Sequence, residues 1–365
     1  MFQPRDHGSV SASCLSVHRD YVCRHEGACC TADWAIPVEA PIYETLRVHF
    51  GSDPALFELE GPRPEGAAAY LGRRATGTCV FFEPDRGRLC AVHRELGAER
   101  LPSACRQFPR VVLRDGRGAL ISLSHYCPTA AELLSPDAAI EIVSAPARLA
   151  LDGDVEGLDA RDALPPLLGP GMLMDLDAYD RWERRAIQAL SKDDRDAAGA
   201  IERIAAATRS IQSWRPGGAP LAAVVEREFD VAPACEAKED LCMDEVRSSV
   251  ALASVPRGLG CPDRVDRFRE AWRDVAPWWP EADRVVRRYL SARLFGNWVA
   301  YHGTGLHGIV EYLRVCLSVL KMETVRHARS SSASQPWPIV KEAIRSADLL
   351  LVHLSDPTDL SRRLS

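Results

Sequence analysis

Residues 111–121 have the sequence Val-Val-Leu-Arg-Asp-Gly-Arg-Gly-Ala-Leu-Ile, in which two short apolar runs flank an Asp-Gly-Arg-Gly connection. Aspartate and glycine are favoured in tight turns, and apolar runs of this length are typical of strands. The stretch therefore predicts a small β-hairpin. Around it, residues 23–130 show little periodicity, apart from one helix predicted near residues 41–50.

A dense series of cysteines surrounds this hairpin. A chain of 365 residues can bury a full apolar core and needs no disulfide staples. Residues 1–10 lack the apolar segment of a secretory signal, so the expected location is the cytoplasm, where clustered cysteines bind metal or carry out redox chemistry. The predicted metal ligands are Cys23, Cys29, Cys30, Cys79, Cys90, Cys105 and Cys127.

The number of thiols leaves the number of sites open. Four thiolates can hold one zinc ion or one iron–sulfur cluster, so seven exceed one such site and fall one short of two. Either some thiols are spare, or a second site is completed by Cys14 or by a histidine (His25, His93 or His125). Arginines interleaved between residues 86 and 110 would offset thiolate charge.

Core packing is the alternative interpretation of any cysteine, because free cysteine is among the most buried residue types. That interpretation is preferred for the scattered residues Cys235, Cys242 and Cys261, and for Cys316, which lies within an apolar helical pattern.

Beyond residue 130 the pattern of apolar residues becomes helical. It predicts a helix from Pro136 to about Leu151, two helices within 175–214 that break at 192–194, and helices at 263–272, 281–301, 306–325 and 339–354. The predicted fold class is mainly α: an irregular, metal-binding, cysteine-rich region with a small β-hairpin, followed by a helical domain. The predicted boundaries are 1–22 for a flexible N-terminus, 23–130 for the cysteine-cluster domain and 131–365 for the helical domain.

Charge and hydropathy exclude two classes of partner. The net charge of -6 argues against a nucleic-acid binder that relies on a basic surface. No run of about 20 apolar residues is present, so no membrane span is expected.

Three motifs resemble one bacterial family. They are Cys23-Arg-His-Glu-Gly-Ala-Cys29-Cys30, then Cys79-Val-Phe-Phe followed by Gly87-Arg-Leu-Cys90, and Cys105-Arg106-Gln-Phe-Pro109. The chain resembles the zinc- or iron-chelating cysteine-cluster proteins, and within them the flagellin lysine-N-methylase branch. Trp34-Ala-Ile36 and Ser124-His-Tyr-Cys-Pro128 are also similar to that branch. One difference is that the branch usually has a further cysteine between the first one and the double cysteine, where this chain has only His25 and Glu26.

The resemblance implies a metal centre, with a [4Fe-4S] cluster favoured over zinc, and methyl transfer to lysines of a protein or peptide substrate. S-Adenosylmethionine would be the methyl donor, although no Gly-x-Gly turn after a predicted strand provides a Rossmann site for it. Arg106 and Trp34 are the candidates for lining the cofactor site; no general base is assigned. The alternative function is a non-catalytic zinc- or iron-binding structural or interaction module, and a third is a metal store or chaperone.

Overall fold

Three sheets form in the described part of the computed structural model, which covers residues 11–32, 34–86, 90–135, 139–149, 157–192, 196–232, 265–330, 335–355 and 362. The largest sheet has five strands in the order β7-β1-β6-β5-β8, and the others have the orders β2-β4-β3 and β10-β9. The strands are β1 (Ala12–Leu15), β2 (Pro37–Glu39), β3 (Phe57–Glu58), β4 (Ala67–Leu71), β5 (Arg110–Asp115), β6 (Gly118–Leu123), β7 (Ile142–Ser144), β8 (Leu158–Asp159), β9 (Leu167–Gly169) and β10 (Met172–Leu173).

The predicted hairpin is confirmed as β5 and β6, and it forms the middle of the five-stranded sheet. The strands pair antiparallel, with Leu113 opposite Leu120, and the Asp115 carboxylate accepts a hydrogen bond from the Arg117 amide at 2.8 Å to close the turn. Strand β1 pairs parallel with β6. A side chain at Gly118 would place its Cβ 2.2 Å from the Ser11 carbonyl oxygen, so the close approach of β1 requires glycine there.

Helices dominate the described residues after residue 175. The two helices predicted within 175–214 are confirmed, as is the predicted helix near residues 41–50. The α-helices are α1 (Ala28–Thr31), α2 (Ala40–Phe50), α3 (Ala91–Leu96), α4 (Ser103–Gln107), α5 (Pro128–Glu132), α6 (Leu176–Lys192), α7 (Ala197–Gln212), α8 (Leu221–Val231), α9 (Val265–Val275), α10 (Trp279–Leu294), α11 (Gly305–Ser330) and α12 (Pro336–Asp348). A π-helix, Leu349–Leu354, continues α12. None of the described helices combines the length and apolar character needed to span a bilayer.

Within the described ranges, buried apolar side chains form three clusters. The largest joins α6 to α12 and contains the fully buried Cys316, as core packing predicts. A second cluster lies among β2 to β4 and helices α2 and α3, and a third lies on the five-stranded sheet. Cys235, Cys242 and Cys261 lie outside the described residues.

The predicted fold class is wrong, because the structure is mixed α and β rather than mainly α with one hairpin. Residues 12–15 form a strand within a segment predicted to be flexible, and residues 142–144 form a strand where a helix was predicted. Strands of two to five residues are too short to show a period of two, and the partners of β1 and β7 in the five-stranded sheet are more than a hundred residues away. The five-stranded sheet combines strands from both sides of the domain boundary predicted at residue 130.

Candidate metal centre and adjoining cavity

Five of the seven predicted thiols belong to one apolar cluster: Cys29, Cys30, Cys79, Cys90 and Cys105. We call them the five-thiol group. Short elements position them: helix α1 carries the adjacent pair, helix α4 carries Cys105, and Cys90 immediately precedes α3. The Cys79 amide donates a hydrogen bond to the Cys30 carbonyl oxygen at 2.8 Å, which ties the first two segments together.

These five thiols affect one another electrostatically. The Sγ atoms of Cys29 and Cys30 lie 3.8 Å apart, and this contact lowers the pKa of Cys29. Burial, together with the charges of Cys90 and Cys29, raises the pKa of Cys79 to about 11. Burial, then Cys29, Cys79 and Cys90, raises the pKa of Cys105. Burial therefore favours the protonated thiols of Cys79 and Cys105, and metal binding at these two residues would have to displace protons.

The remaining two predicted ligands lie apart from this group. Cys127 is buried with its Sγ 3.8 Å from the Tyr21 hydroxyl, in the third apolar cluster. Cys23 is exposed, with its Sγ 4.0 Å from Nδ1 of His25. Among the described residues, no three His, Cys, Asp or Glu side chains converge closely enough to hold a single metal ion.

The donor chemistry of the five-thiol group fits an iron–sulfur cluster, which four thiolates hold. The arginines around the five-thiol group differ from those that the sequence pattern predicted. The Arg94 guanidinium pairs with Glu83 and Glu95, and Arg106 is exposed. The arginine that lowers the pKa of one of these thiols, Cys79, is Arg73, which sequence spacing did not single out.

A cavity of about 440 Å³ shares Trp34, Ile36 and Ala104 with the apolar cluster that contains the five thiols; none of its described lining residues is a cysteine. Of the two candidates for the cofactor site, Trp34 lines this cavity, whereas Arg106 is not among the described lining residues. Residues 34–37, Ala104 and residues 107–111 line it, as do residues 292 and 293 at the end of α10 and residues 295–299 after it. Ser122, Gly157, Tyr312 and residues 351–353 of the π-helix complete the lining.

Aromatic rings form a continuous part of the cavity wall. The Trp34 ring centroid lies 4.6 Å from that of His353 and 5.6 Å from that of Phe108. Behind them, Tyr126 packs edge-on against Trp34 at 5.5 Å. The Ser124 hydroxyl fixes His353 through a 2.7 Å contact with Nε2, and burial lowers the pKa of His353 to about 4, so the ring is neutral at pH 7.

A buried polar chain joins this region to the helical half. Asp348 lies 3.2 Å from Nδ1 of His125, whose Nε2 is 3.1 Å from Nε2 of His18. Burial would raise the pKa of Asp348, but Arg293 and His125 hold it at about 2. The ionised carboxylate thus accepts from His125 Nδ1–H, and His125 Nε2 accepts from His18. His125 is consequently engaged in this chain, which no local sequence spacing could predict.

Comparison with known proteins gave no match to a protein-family model, a curated protein or a solved structure. The resemblance to the cysteine-cluster family stays a prediction.

Proposed function

We propose that this protein is an iron–sulfur protein that transfers methyl groups to lysine side chains of a protein or peptide, as the motif resemblance implies. It would act in the cytoplasm, where thiols remain reduced; the nine cysteines of the described residues are all free.

One observation carries the proposal: the segments that hold three of the five thiols also border the cavity. Residues 34–37 follow Cys29 and Cys30 closely, and Ala104, which lines the cavity, adjoins Cys105. A group bound by these thiols would therefore lie beside a space large enough for a small molecule.

The residues of the chain would hold the cluster, exclude water from the cavity and orient the methyl donor. Four of the five thiols would hold the cluster, which when bound supplies a redox-active, charged centre. In the transfer itself, a lysine that has lost a proton to solvent forms an N–C bond to the methyl group as the S–C bond of the donor breaks. The apolar walls of the cavity exclude water, and Trp34 and Phe108 offer ring faces that attract the positive charge of a sulfonium donor.

The first test is anaerobic purification followed by iron, zinc and sulfide analysis. We expect a brown protein with about four irons and four sulfides per chain, the content of one cubane cluster. A colourless protein that carries zinc and no sulfide would contradict the iron–sulfur assignment.

Single serine variants of the five thiols then identify the ligands. Because a cubane uses four thiolates, four of the five variants should lose iron and sulfide and one should keep both. Cys316→Ser is the matched control, since that thiol is fully buried in the core of the helical half and should keep full metal content. Retention of metal in all five variants would sink the ligand assignment.

A structural metal module is the second candidate, favoured by the position of the thiols in the apolar cluster among β2 to β4. In that case metal supplies folding free energy and does not react. Chelation would then unfold residues 28–107, and the loaded protein would leave a lysine-containing peptide and S-adenosylmethionine unchanged.

A further inference from the structure

Glu39, the last residue of β2, connects that strand to the helix that carries Cys105. Its Oε1 accepts a hydrogen bond from the Ser103 amide at 3.0 Å, across 64 positions of the chain. Ser103 is the first residue of α4, two positions before Cys105. A change in this contact would therefore move the Cys105 thiol together with the helix.

Helix α4 obtains no cap from its own segment. It has only five residues, and Pro102, which precedes it, provides no side-chain hydrogen bond to it. The first amides of a helix lack partners within the helix, and helices this short are marginal on their own. Glu39 supplies the acceptor for one of these amides, and a carboxylate is favourable at the N-terminal end of a helix.

The position of Glu39 offers its carboxylate a closer partner, which it does not use. Glu39 is the N-cap residue of α2, a position from which a side chain commonly accepts a hydrogen bond from its own helix. Its side chain makes no such bond to α2 and reaches α4 instead. The carboxylate thus serves the helix that carries Cys105 and not its own.

The second oxygen of the same carboxylate, Oε2, is buried and has no hydrogen-bond partner among the described residues. Buried acceptors without a partner are uncommon, because leaving one unpaired costs stability. The charge of this carboxylate acts on the five-thiol group. Burial first, then the charges of three other thiols of the group and that of Glu39, raises the pKa of Cys105. Net charge in the surroundings is one determinant of the reduction potential of an iron–sulfur cluster.

We propose that Glu39 is a positioning residue of the metal centre. Its Oε1 holds α4, and with it Cys105, in place, and the charge of its carboxylate makes a cluster bound by the five-thiol group harder to reduce. This role rests on the function proposed above, with Cys105 as one of the four ligands.

Iron and sulfide content of full-length protein, purified anaerobically, tests the positioning. Glu39→Ala removes the acceptor and should lower both contents at least about twofold, since loss of an outer-shell partner commonly weakens metal binding by about 10–100-fold. Glu39→Gln keeps a side-chain oxygen for the Ser103 amide and should retain wild-type content. Glu44→Gln, at an exposed carboxylate of α2 paired with Arg47, is the control. Wild-type content in Glu39→Ala would overturn the positioning role.

The reduction potential separates the charge of Glu39 from its hydrogen bond. Glu39→Gln removes the negative charge and keeps the bond, so the cluster should be easier to reduce, with a midpoint potential more positive than in the wild type and in Glu44→Gln. A redox titration followed by visible absorbance measures this potential. Equal potentials in Glu39→Gln and the wild type would overturn the role of the charge.

Hydrogen exchange of the same samples reports the contact with α4 whichever metal is bound. The Ser103 amide should exchange about tenfold faster in Glu39→Ala than in the wild type and in Glu39→Gln. An unchanged exchange rate in Glu39→Ala, or full iron content in Cys105→Ser, would contradict this inference alone. A wild-type protein without iron and sulfide would instead contradict the proposed function.

Discussion

Cys23 is the first cysteine of the predicted ligand series and one of two that lie apart from the five-thiol group. Its thiol is exposed and contacts His25, while Cys127 contacts Tyr21. Chain spacing could not separate these two from the rest, because ligands of one metal centre come from segments tens of residues apart. In the structure, five thiols lie in one apolar cluster, and Cys23 and Cys127 lie outside it.

Replacement of Cys23 by serine should therefore leave iron and sulfide content unchanged, whereas Cys90→Ser is expected to lower both if Cys90 is one of the four ligands. Both substitutions replace one sulfur atom by oxygen, so a difference in metal content between the two variants reports on metal ligation. Metal analysis of the two variants, with circular dichroism to verify folding, provides the measurement. Loss of iron from a folded Cys23→Ser protein would show that Cys23 belongs to the centre.

His327 gives a residue-scale prediction about pH. Its Nε2 lies 2.9 Å from the Ser346 hydroxyl and 3.9 Å from Glu323. Burial, with help from the charges of Arg326 and Arg345, lowers its pKa to about 4. Since an unfolded histidine has a pKa of about 6.5, the unfolded chain binds more protons below that pH. This residue's contribution to stability is full above about pH 6.5 and declines as pH falls towards 4.

We expect His327→Asn to flatten the pH dependence of the free energy of unfolding by about 1 kcal/mol between pH 7.5 and 5.5. Urea unfolding at the two pH values measures it. His307→Asn, at an exposed position on the same helix, is the matched control for the replacement of a histidine by asparagine. If the free energy of unfolding of His327→Asn depended on pH as that of the wild-type protein does, the role given to His327 would be contradicted.

At the scale of elements, Gly27 fixes the start of α1 and so the position of the double cysteine. Its φ of +79° is favoured by glycine, and a Cβ there would lie 2.5 Å from the Phe82 ring. The Cys30 amide bonds to its carbonyl oxygen at 2.9 Å. A displaced Gly27 would therefore shift a thiol directly.

Gly27→Ala should lower the free energy of unfolding by more than about 2 kcal/mol and reduce metal content, because it adds a clash to an unfavourable φ. Gly171→Ala is the matched control: its φ is +72° with open space around it, so only the backbone cost of about 1 kcal/mol applies. Chemical denaturation and iron analysis test both. Equal losses in the two variants would exclude the clash with Phe82.

Elements with strong local signals could be predicted from sequence. The Asp-Gly turn gave the β5–β6 hairpin, and the three-to-four spacing of apolar residues gave α6 and α7. Strands β1 and β7 could not be predicted, since each has three or four residues and gains its stability from partners far along the chain. The same limit applies to the cavity, whose lining comes from seven separate parts of the sequence; Trp34 was a candidate for a cofactor site and His353 was not.

At the scale of the whole molecule, one buried ion network joins the sheet, the helices and the cavity wall. Arg117, in the hairpin turn, pairs with Asp115 and with Glu183 of α6 at 2.8 and 2.9 Å. The other Glu183 oxygen accepts from the amide of Gly296, which lines the cavity, at 2.9 Å. The carboxylate thus holds three separate parts in register.

Glu183→Gln should cost about 3 kcal/mol of stability, because it leaves the Arg117 guanidinium buried with one fewer charged partner. Asp177→Asn, in the same helix but paired with Arg181 at the surface, should cost less than about 1 kcal/mol. Urea denaturation of both variants is the measurement. A loss in Glu183→Gln no larger than that in Asp177→Asn would show that the network contributes no more than a surface pair.

The parallel pairing of β1 with β6 has a consequence for synthesis. Ala12 pairs with Ala119, so the first strand leaves the ribosome more than a hundred residues before its partner exists. At about 5–20 residues per second, that interval is on the order of 5–20 s. Cys105 is translated before Gly118, so the complete five-thiol group emerges while β1 still has no β6 to join. All five thiols are therefore available on the nascent chain before the central sheet can close.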